Sequence, residues 1–240
     1  MTDRLPAADG AGVRLRAWAA DYVYATVRQL EQVVRRRPVP AGRGDGAPVV
    51  LLPGIYETWE FLYPVASALA RAGHPIHVVP ELGRNGRPVP ESADLTAAHL
   101  ERADLDGVVL VAHSKGGLIG KRVMLGPAAG RVVGMVAIAT PFAGSRWARY
   151  LLGRSLRSFS PRDPVLLALA GELLVNGQIT AVYPRFDPHI PETGHLQGAT
   201  NIELPLNGHF RLLGDPLLAD VVVREVARLA AAGANAATPT

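Results

Sequence analysis

Short apolar runs alternate with amphipathic stretches over most of this 240-residue chain. The apolar runs have the length and composition of buried strands. They lie at 49–52, 74–79, 107–113, 131–139 and 178–183, and a last short strand is predicted at 200–204. Stretches with the three- and four-residue apolar spacing of helices lie at 58–71, 91–102, 115–124 and 220–230. This alternation of strands and helices predicts an α/β fold with a doubly wound, mostly parallel sheet.

Three segments fall outside this alternation. The segment 13–36 has helical apolar spacing and precedes a linker rich in proline and glycine at 38–48. In the segment after Phe142, Pro161 and Pro164 start a further short helix, which predicts a cap. We therefore divide the chain into an N-terminal helical extension with its linker (1–40), an α/β domain (41–232) that carries a short cap (142–177), and a disordered tail (233–240).

The N-terminal helix combines apolar positions with a basic C-terminal end. Trp18, Tyr22 and Val27 recur at helical spacing, and residues 35–37 are arginines. In the simplest interpretation this helix packs on the domain. Trp18 together with the arginines also fits weak association with a membrane surface, and the sequence leaves both alternatives open.

The most informative stretch is Val-Ala-His-Ser-Lys-Gly-Gly, in which Ser114 ends an apolar strand and precedes a helix. At such a sharp turn the backbone segments two residues before and after the serine nearly touch, so only small residues fit there. Ala112 and Gly116 meet this requirement, although Ala112 replaces the first glycine of the usual Gly-x-Ser-x-Gly pattern. The stretch resembles the nucleophile elbow of α/β-hydrolases, and a helix N-cap serine is the alternative.

Other glycine-rich motifs do not fit this stretch. A phosphate-binding loop needs a glycine five residues before Gly120 and a serine or threonine after Lys121, but the chain has Lys115 and Arg122 there. A serine with a lysine three residues later is also absent, because that residue is Gly117. These spacings argue against a nucleotide-binding loop and against a serine–lysine pair.

The loop after the first strand, Leu-Pro-Gly-Ile-Tyr, lies where α/β-hydrolases place one amide of the oxyanion hole. By this resemblance Ile55, directly after Gly54, supplies one backbone N–H. Lys115, directly after Ser114, supplies the other. An ordinary loop between a strand and a helix is the alternative interpretation.

A serine hydroxyl needs a base, and the base needs a carboxylate that fixes its tautomer. The hydrolase resemblance implies the chain order serine, acid, histidine, with the last two on loops after late strands. Asp187 follows the fifth predicted strand and His209 follows the sixth, so we predict that they complete a triad with Ser114. The competing candidates are His189 and His195 for the base, and Asp163 and Glu192 for the acid.

Aromatic and histidine side chains near these loops are candidates for the wall of a substrate pocket. Core packing explains each of the aromatic residues as well. The pocket candidates are Tyr56, His113, Phe142, Trp147, Tyr150 and Phe159.

Composition narrows the class of protein. Cysteine is absent, which excludes disulfide and thiolate chemistry. The net charge of +4 comes from scattered arginines without a nucleic-acid-binding motif, so we expect no nucleic-acid partner. Charged residues interrupt the N-terminus and no apolar run is long enough to span a membrane, so a cytoplasmic protein is expected. No metal site is predicted, and the oligomeric state cannot be read from the sequence.

Taken together, these motifs resemble those of compact bacterial lipases and esterases of the α/β-hydrolase superfamily. The segment Thr-Pro-Phe-Ala-Gly-Ser, which ends at Ser145, belongs to the same resemblance. It implies hydrolysis of a carboxylic ester, with a small-molecule acyl ester as substrate, through an acyl-enzyme on Ser114 and without a metal or organic cofactor. A thioesterase, an amidase or another acyl-transfer enzyme on the same fold is an alternative, as is a non-catalytic binding protein with that fold.

Overall fold

Six strands form one sheet in the part of the chain that the structure, a computed structural model, describes: residues 11–34, 37–150 and 157–237. The strands are β1 (Val49–Leu52), β2 (Ile76–Val78), β3 (Val108–His113), β4 (Val132–Ile138), β5 (Ile179–Phe186) and β6 (Thr200–Asn207). Their order across the sheet is β2-β1-β3-β4-β5-β6, and every neighbouring pair is parallel. The predicted doubly wound parallel sheet is confirmed.

Helices cover both faces of this sheet. They are α1 (Ala11–Val34), α2 (Tyr63–Arg71), α3 (Val89–Arg102), α4 (Lys115–Met124), α5 (Pro164–Gly171) and α6 (Pro216–Ala237). Helices α2 and α6 pack on one face, whereas α3 and α4 pack on the other, with α5 beside α4. Because all strands are parallel, their carboxyl ends meet at a single edge of the sheet.

The pleat of the sheet divides the core into two layers. In β1, Val50 and Leu52 pack with α3 and α4, whereas Val49 and Leu51 pack with α2 and α6. All four side chains are fully buried. Successive side chains of a strand point to opposite faces, so a strand that is covered on both faces is apolar at every position. This is why continuous apolar runs, rather than alternating ones, form the central strands β1 and β3.

The strand order reverses between β1 and β3, which is the place where open parallel sheets bind ligands. Gly116, in the first turn of α4, lies so close to β1 that an added Cβ would be 2.1 Å from the carbonyl oxygen of Leu52. Only glycine permits this approach. The approach brings the N-terminus of α4 against the loop that follows β1.

Helix α1 packs against the segment that follows β6. Ala17 and Asp21 on its inner side are buried. Tyr24 lies so close to Gly214 that an added Cβ there would be 3.0 Å from the tyrosine hydroxyl. Its outward side exposes the apolar residues Leu15, Val23, Val27 and Leu30. The predicted N-terminal helical extension is therefore confirmed, and it contacts the domain. Within the described ranges, no helix combines the length and the apolar character needed to cross a membrane.

Several helices differ from their predicted bounds. The predicted disordered tail from 233 is wrong for residues 233–237, because α6 continues to Ala237. Its last turns are rich in alanine, which favours a helix, and Gly233 lies close to Val133 of β4. Residues 238–240 lie outside the described residues. The predicted helix 58–71 is divided into a 3₁₀ turn, Trp59–Leu62, and α2, with Pro64 in the first turn of α2.

The cap segment contributes one described α-helix, α5. Asp163 is its N-cap, and its carboxylate accepts hydrogen bonds from the amides of Val165 at 3.0 Å and Leu166 at 3.3 Å. The helix ends at Gly171, before the predicted end near 176–177, since glycine is a poor helix former. At the start of the cap, the hydroxyl of Ser145 donates to the carbonyl oxygen of His189 at 2.6 Å, which ties the cap to the loop after β5.

Candidate active site

Ser114 joins β3 to α4 in a strained backbone conformation. Its φ of 51° and ψ of −118° lie in a region that side chains disfavour. The amide of Ser114 donates to the carbonyl oxygen of Ile138 at 2.8 Å, and the amide of Gly117 donates to the carbonyl oxygen of Ser114 at 3.1 Å. These bonds hold the turn, and the predicted geometry of strand, sharp turn and helix is present.

The structure brings Ser114, His209 and Asp187 into one hydrogen-bonded chain. Oγ of Ser114 lies 3.0 Å from Nε2 of His209, and Nδ1 of His209 lies 2.8 Å from Oδ2 of Asp187. Because the carboxylate of Asp187 can only accept a hydrogen bond, Nδ1 of His209 carries the proton. Nε2 is therefore free to accept a hydrogen bond from the hydroxyl of Ser114. All three residues are less than a tenth exposed.

Asp187 is held as a carboxylate immediately after β5. Burial raises its pKa, but the His209 imidazole and the hydrogen bond from the His189 amide outweigh burial, so that the pKa of Asp187 is lowered. Its Oδ1 accepts from the amides of His189 at 2.7 Å and Ile190 at 2.9 Å. One carboxylate oxygen therefore anchors the loop, while the other contacts His209.

A second buried pair, His113 and Glu57, lies behind the first. Nδ1 of His113 is 2.9 Å from Oε2 of Glu57, and Nε2 is 3.1 Å from the carbonyl oxygen of His209. The carboxylate of Glu57 and the carbonyl oxygen of His209 can only accept hydrogen bonds. Both ring nitrogens of His113 therefore donate, which means that the imidazole is protonated. Burial opposes this charge, but Glu57 outweighs it and the pKa of His113 is raised. The pair links the loop after β1 to the backbone of His209.

The two predicted oxyanion amides are free to donate. The amide of Gly54 is engaged, since it donates to Oε2 of Glu57 at 2.8 Å. In contrast, the amide of Ile55 has no acceptor in the described part of the chain. Lys115 is the first residue of α4, where an amide has no intrahelical partner. Ile55 lines the same cavity as Ser114.

The side chain of Lys115 holds the loop that follows β2. Its Nζ donates to the carbonyl oxygens of Asn85, at 2.8 Å, and Arg87, and lies 3.2 Å from Oδ1 of Asn85. Asn85 in turn donates to the carbonyl oxygen of Pro53 at 2.7 Å. Burial lowers the pKa of Lys115 to about 8. These contacts connect the residue after the serine to the loop that carries Ile55.

Ser114 opens into a mostly apolar cavity of about 1000 Å³. Its walls come from α1, the loop after β1, the cap, and the end of β5 with its following loop. Representative wall residues are Trp18 and Tyr22, Ile55 and Tyr56, Trp147 and Phe159, and Pro184 and Phe186. A cavity of this size and character fits an apolar group rather than a highly charged one.

Three of the predicted pocket residues line this cavity: Tyr56, Trp147 and Phe159. For Phe142 the prediction is wrong, because its side chain is buried in the core layer formed with α3 and α4. The prediction is also wrong for His113, whose ring is fully buried between Glu57 and the backbone of His209. The side chain of Tyr150 lies outside the described residues.

The competing candidates for base and acid lie elsewhere. His195 is exposed, and the ring of His189 faces Asp21, with Nε2 3.5 Å from Oδ2. Asp163 caps α5, and Glu192 accepts a hydrogen bond from an amide of the cap. Each of these side chains has a local partner or faces solvent, so none replaces a member of the hydrogen-bonded chain.

Sequence reasoning does not identify three buried polar residues around the site: Asp21, Glu57 and Asn85. Asp21 contacts the backbone directly after His209, and Glu57 contacts the loop after β1. Asn85 precedes a glycine and has a positive φ of 49°, a conformation that asparagine tolerates, so its turn leaves a weak signal in the sequence. Asp21 in a helix and Glu57 in a turn leave no signal in the sequence, because acidic residues are common at such positions.

The described residues offer no metal site, since no group of three histidine, aspartate or glutamate side chains lies close enough together to hold an ion. The ionisable side chains beside Ser114 contact each other instead, His209 with Asp187 and His113 with Glu57. The chemistry that this arrangement offers is proton transfer and hydrogen bonding.

Several solved structures share this fold. A monoacylglycerol lipase of Paleococcus ferrophilus is 16% identical with a TM-score of 0.59, and the match covers 80% of this chain and 97% of that one. The mature lipase BlEst2 of Bacillus licheniformis is 14% identical with a TM-score of 0.61, covering 80% and 96%. BpoC of Mycobacterium tuberculosis H37Rv, described provisionally as a non-haem bromoperoxidase, is 17% identical with a TM-score of 0.62, covering 78% and 94%. Identities this low show a common fold only.

The model of the α/β hydrolase family matches residues 49–237. The match begins at the first residue of β1 and ends at the last residue of α6, so it includes the whole sheet and all three members of the hydrogen-bonded chain. Helix α1 precedes the matched range. The chain belongs to the α/β hydrolase family.

Proposed function

We propose that this chain is a serine hydrolase that cleaves carboxylic esters with apolar acyl groups. The observation that supports this function best is the chain of hydrogen bonds from Ser114 through His209 to Asp187, at 3.0 and 2.8 Å, beside an apolar cavity. A serine hydroxyl bonded to an imidazole whose tautomer is fixed by a carboxylate has the arrangement that nucleophilic attack on an acyl group requires.

In the proposed reaction, Nε2 of His209 accepts the proton of Ser114 while Oγ attacks the carbonyl carbon of the ester. Asp187 stabilises the resulting imidazolium. The amides of Ile55 and Lys115 donate to the developing oxyanion. The alcohol leaves with the proton from His209, and the acyl group stays on Ser114. A water molecule, deprotonated by His209, then releases the acid and restores the serine.

Replacing the serine tests this mechanism directly. Ser114→Ala should lower kcat for a p-nitrophenyl ester by roughly 10⁴- to 10⁶-fold, because the acyl-enzyme cannot form. Ser160→Ala is a matched control, since Ser160 lies outside the cavity wall. Turnover by Ser114→Ala within about tenfold of the wild type would contradict the proposal.

The type of acyl substrate needs its own experiment. A thioester, an amide or a peroxide-forming acyl donor would react through the same residues, so kcat/KM should be compared for an acyl ester, an acyl-CoA and an acyl amide of equal chain length. We expect the ester to be the best substrate. A fluorophosphonate probe tests for an activated serine: labelling of the wild type but not of Ser114→Ala is expected. Folded wild type that stays unlabelled would favour a binding protein instead.

We also propose weak association of α1 with an anionic membrane surface. The outward side of the helix exposes Leu15, Val23 and Leu30, and Arg16 is exposed beside them. Co-sedimentation with vesicles that contain phosphatidylserine should weaken in the double variant Val23→Gln, Leu30→Gln. Equal sedimentation of variant and wild type would overturn this role of the helix.

A further inference from the structure

We propose that Asp21 of helix α1 is a positioning residue for His209, so that the N-terminal helix completes the active site. The inference rests on the function proposed above. Helix α1 lies outside the range that the family model matches, 49–237, so this contact comes from a part of the chain that the family model does not include.

The carboxylate of Asp21 holds the backbone directly after His209. Its Oδ1 accepts hydrogen bonds from the amides of Phe210 and Arg211, each at 2.8 Å. Gly208, directly before His209, has a φ of 109° and permits the close approach, because an added Cβ there would lie 2.6 Å from Oδ1 of Asp21. The residues on both sides of His209 therefore meet the same carboxylate oxygen.

The peptide group between His209 and Phe210 is held at both ends. Its carbonyl oxygen accepts from Nε2 of the protonated His113 at 3.1 Å, and its N–H donates to Asp21 at 2.8 Å. Hydrogen bonds to a cation on one side and to an anion on the other are strong and directional. The imidazole of His209 starts from the Cα next to this peptide group, so fixing the peptide plane fixes the origin of the side chain.

Asp21 is charged although it is completely buried. Burial raises its pKa, but the His189 ring, the hydrogen bonds from the amides of Arg211 and Phe210, and the nearby His209 outweigh burial, so that the pKa of Asp21 is lowered. The ring of His189 also lies beside that of His209, with 5.1 Å between their centroids. The groups that keep Asp21 charged thus belong to the two loops that carry Asp187 and His209.

Docking of α1 does not by itself require an aspartate at this position. Ala17 is buried nearby, and Tyr24 packs against Gly214, so apolar contacts already attach the helix. A buried carboxylate carries a desolvation cost that an apolar side chain avoids. An apolar side chain, however, cannot accept the hydrogen bonds from the amides of Phe210 and Arg211.

The test compares two substitutions of Asp21. Asp21→Leu keeps the branched shape and removes both acceptor oxygens. We expect kcat for p-nitrophenyl acetate to fall about 100-fold with KM within about threefold, because a displacement of the base by about 1 Å has an effect of this size. Asp21→Asn keeps a carbonyl oxygen that accepts from both amides, and it should restore kcat to within about fivefold of the wild type.

Tyr24→Ala is the matched control, because it removes a packing contact of α1 without removing a hydrogen bond to the His209 loop. It should lower the thermal midpoint at least as much as Asp21→Leu and leave kcat within about twofold of the wild type. Equal losses of kcat in Tyr24→Ala and Asp21→Leu would show that Asp21 only docks the helix, which overturns the proposal. Should Asp21→Leu not fold, Asp21→Ala, which leaves room for water at the two amides, takes its place.

The rate at which a fluorophosphonate labels Ser114 separates this proposal from the proposed function. Folded wild type that is never labelled would overturn the proposed function. Equal labelling rates for wild type and Asp21→Leu would overturn only the role of Asp21. We expect labelling of Asp21→Leu to be about 100-fold slower than that of the wild type and labelling of Asp21→Asn to be close to it.

Discussion

Helix α4 buries two lysines whose ammonium groups have different surroundings. Nζ of Lys115 donates to the carbonyl oxygens of Asn85 and Arg87. Nζ of Lys121 is buried and has no hydrogen-bond partner among the described residues. Burial lowers the pKa of each lysine to about 8. One lysine therefore holds a loop, while the other carries a desolvation cost that no hydrogen bond offsets and that the charge of Glu172 offsets only in part.

Substitution by methionine should have opposite effects at these two positions. Lys115→Met leaves the carbonyl oxygens of Asn85 and Arg87 without their donor, and should lower the free energy of unfolding by about 2 to 4 kcal/mol. Lys121→Met removes a buried amine that has no partner, and should raise the free energy of unfolding by about 1 kcal/mol. Urea denaturation measures both changes. Destabilisation by both substitutions would contradict the interpretation of Lys121.

The effect of Lys121→Met should also depend on pH. In the unfolded chain this lysine keeps its proton up to a pKa of 10.5, whereas in the folded chain its pKa is about 8. Between these values the unfolded state binds more protons, so this lysine makes the wild type more stable as the pH rises through the window. The gain from Lys121→Met should therefore be larger at about pH 7 than at about pH 9.5, and equal gains at both would exclude a titration of Lys121 in this window.

The residues of the proposed triad could be predicted because each follows a strand that the sequence makes visible. Ser114, Asp187 and His209 come after β3, β5 and β6, and parallel strands bring such positions to one edge of the sheet. Asp21 and Glu57 could not be predicted in this way. Their partners depend on how separate elements dock, and Asp21 meets an amide 189 residues later. In a sequence, an acidic residue of a helix or turn is typical of a solvated surface.

At the scale of elements, the turn between β3 and α4 depends on contact between two backbones. A Cβ at position 116 would lie 2.1 Å from the carbonyl oxygen of Leu52 and 3.0 Å from that of Pro53. Gly116→Ala should therefore push α4 away from β1 and displace Ser114. We expect kcat to fall at least about 100-fold and the thermal midpoint to fall as well.

Gly130→Ala is the control for this prediction, because a Cβ added at Gly130 would have no atom within 4 Å. Its activity and thermal midpoint should match those of the wild type. Full activity of Gly116→Ala would show that the space between α4 and β1 is larger than the structure indicates.

The central strands could be predicted better than the connections because burial on both faces leaves an unbroken apolar run in the sequence. Strands β5 and β6 nevertheless extend past their predicted ends, because their pairing continues to Phe186 and Asn207 at the edge of the sheet, where side chains are only partly buried. The sequence gives no comparable indication of which side of α1 packs on the domain. Its apolar residues occur on the outward side as well as on the cavity side, so periodicity alone does not identify the side that docks.

At the scale of the whole molecule, segments that are far apart in the chain together enclose the cavity of about 1000 Å³ beside Ser114. Its walls are mostly apolar, so each CH₂ of an acyl chain that enters it contributes up to about 0.8 kcal/mol. We expect kcat/KM for p-nitrophenyl esters to rise from acetate to octanoate by up to about fourfold per CH₂. A flat profile would show that the acyl chain does not occupy this cavity.

A pair of substitutions in α1 locates the acyl chain more closely. Ala25 lines the cavity, whereas Val23 is exposed on the outward side of the same helix. Ala25→Phe should shift the preference toward shorter acyl chains, and Val23→Phe should leave the chain-length profile unchanged. The same shift in both variants would indicate a general disturbance of α1 rather than a narrower cavity.

The contact between Asp21 and the amides of Phe210 and Arg211 joins residues that are 189 and 190 positions apart. A ribosome that is translating the middle of this message has already made the helix but has not yet made the histidine. A nascent chain that ends before His209 therefore cannot have the proposed esterase activity. Under the proposed mechanism, turnover begins only after the segment that carries His209 has been made and has folded beside Ser114.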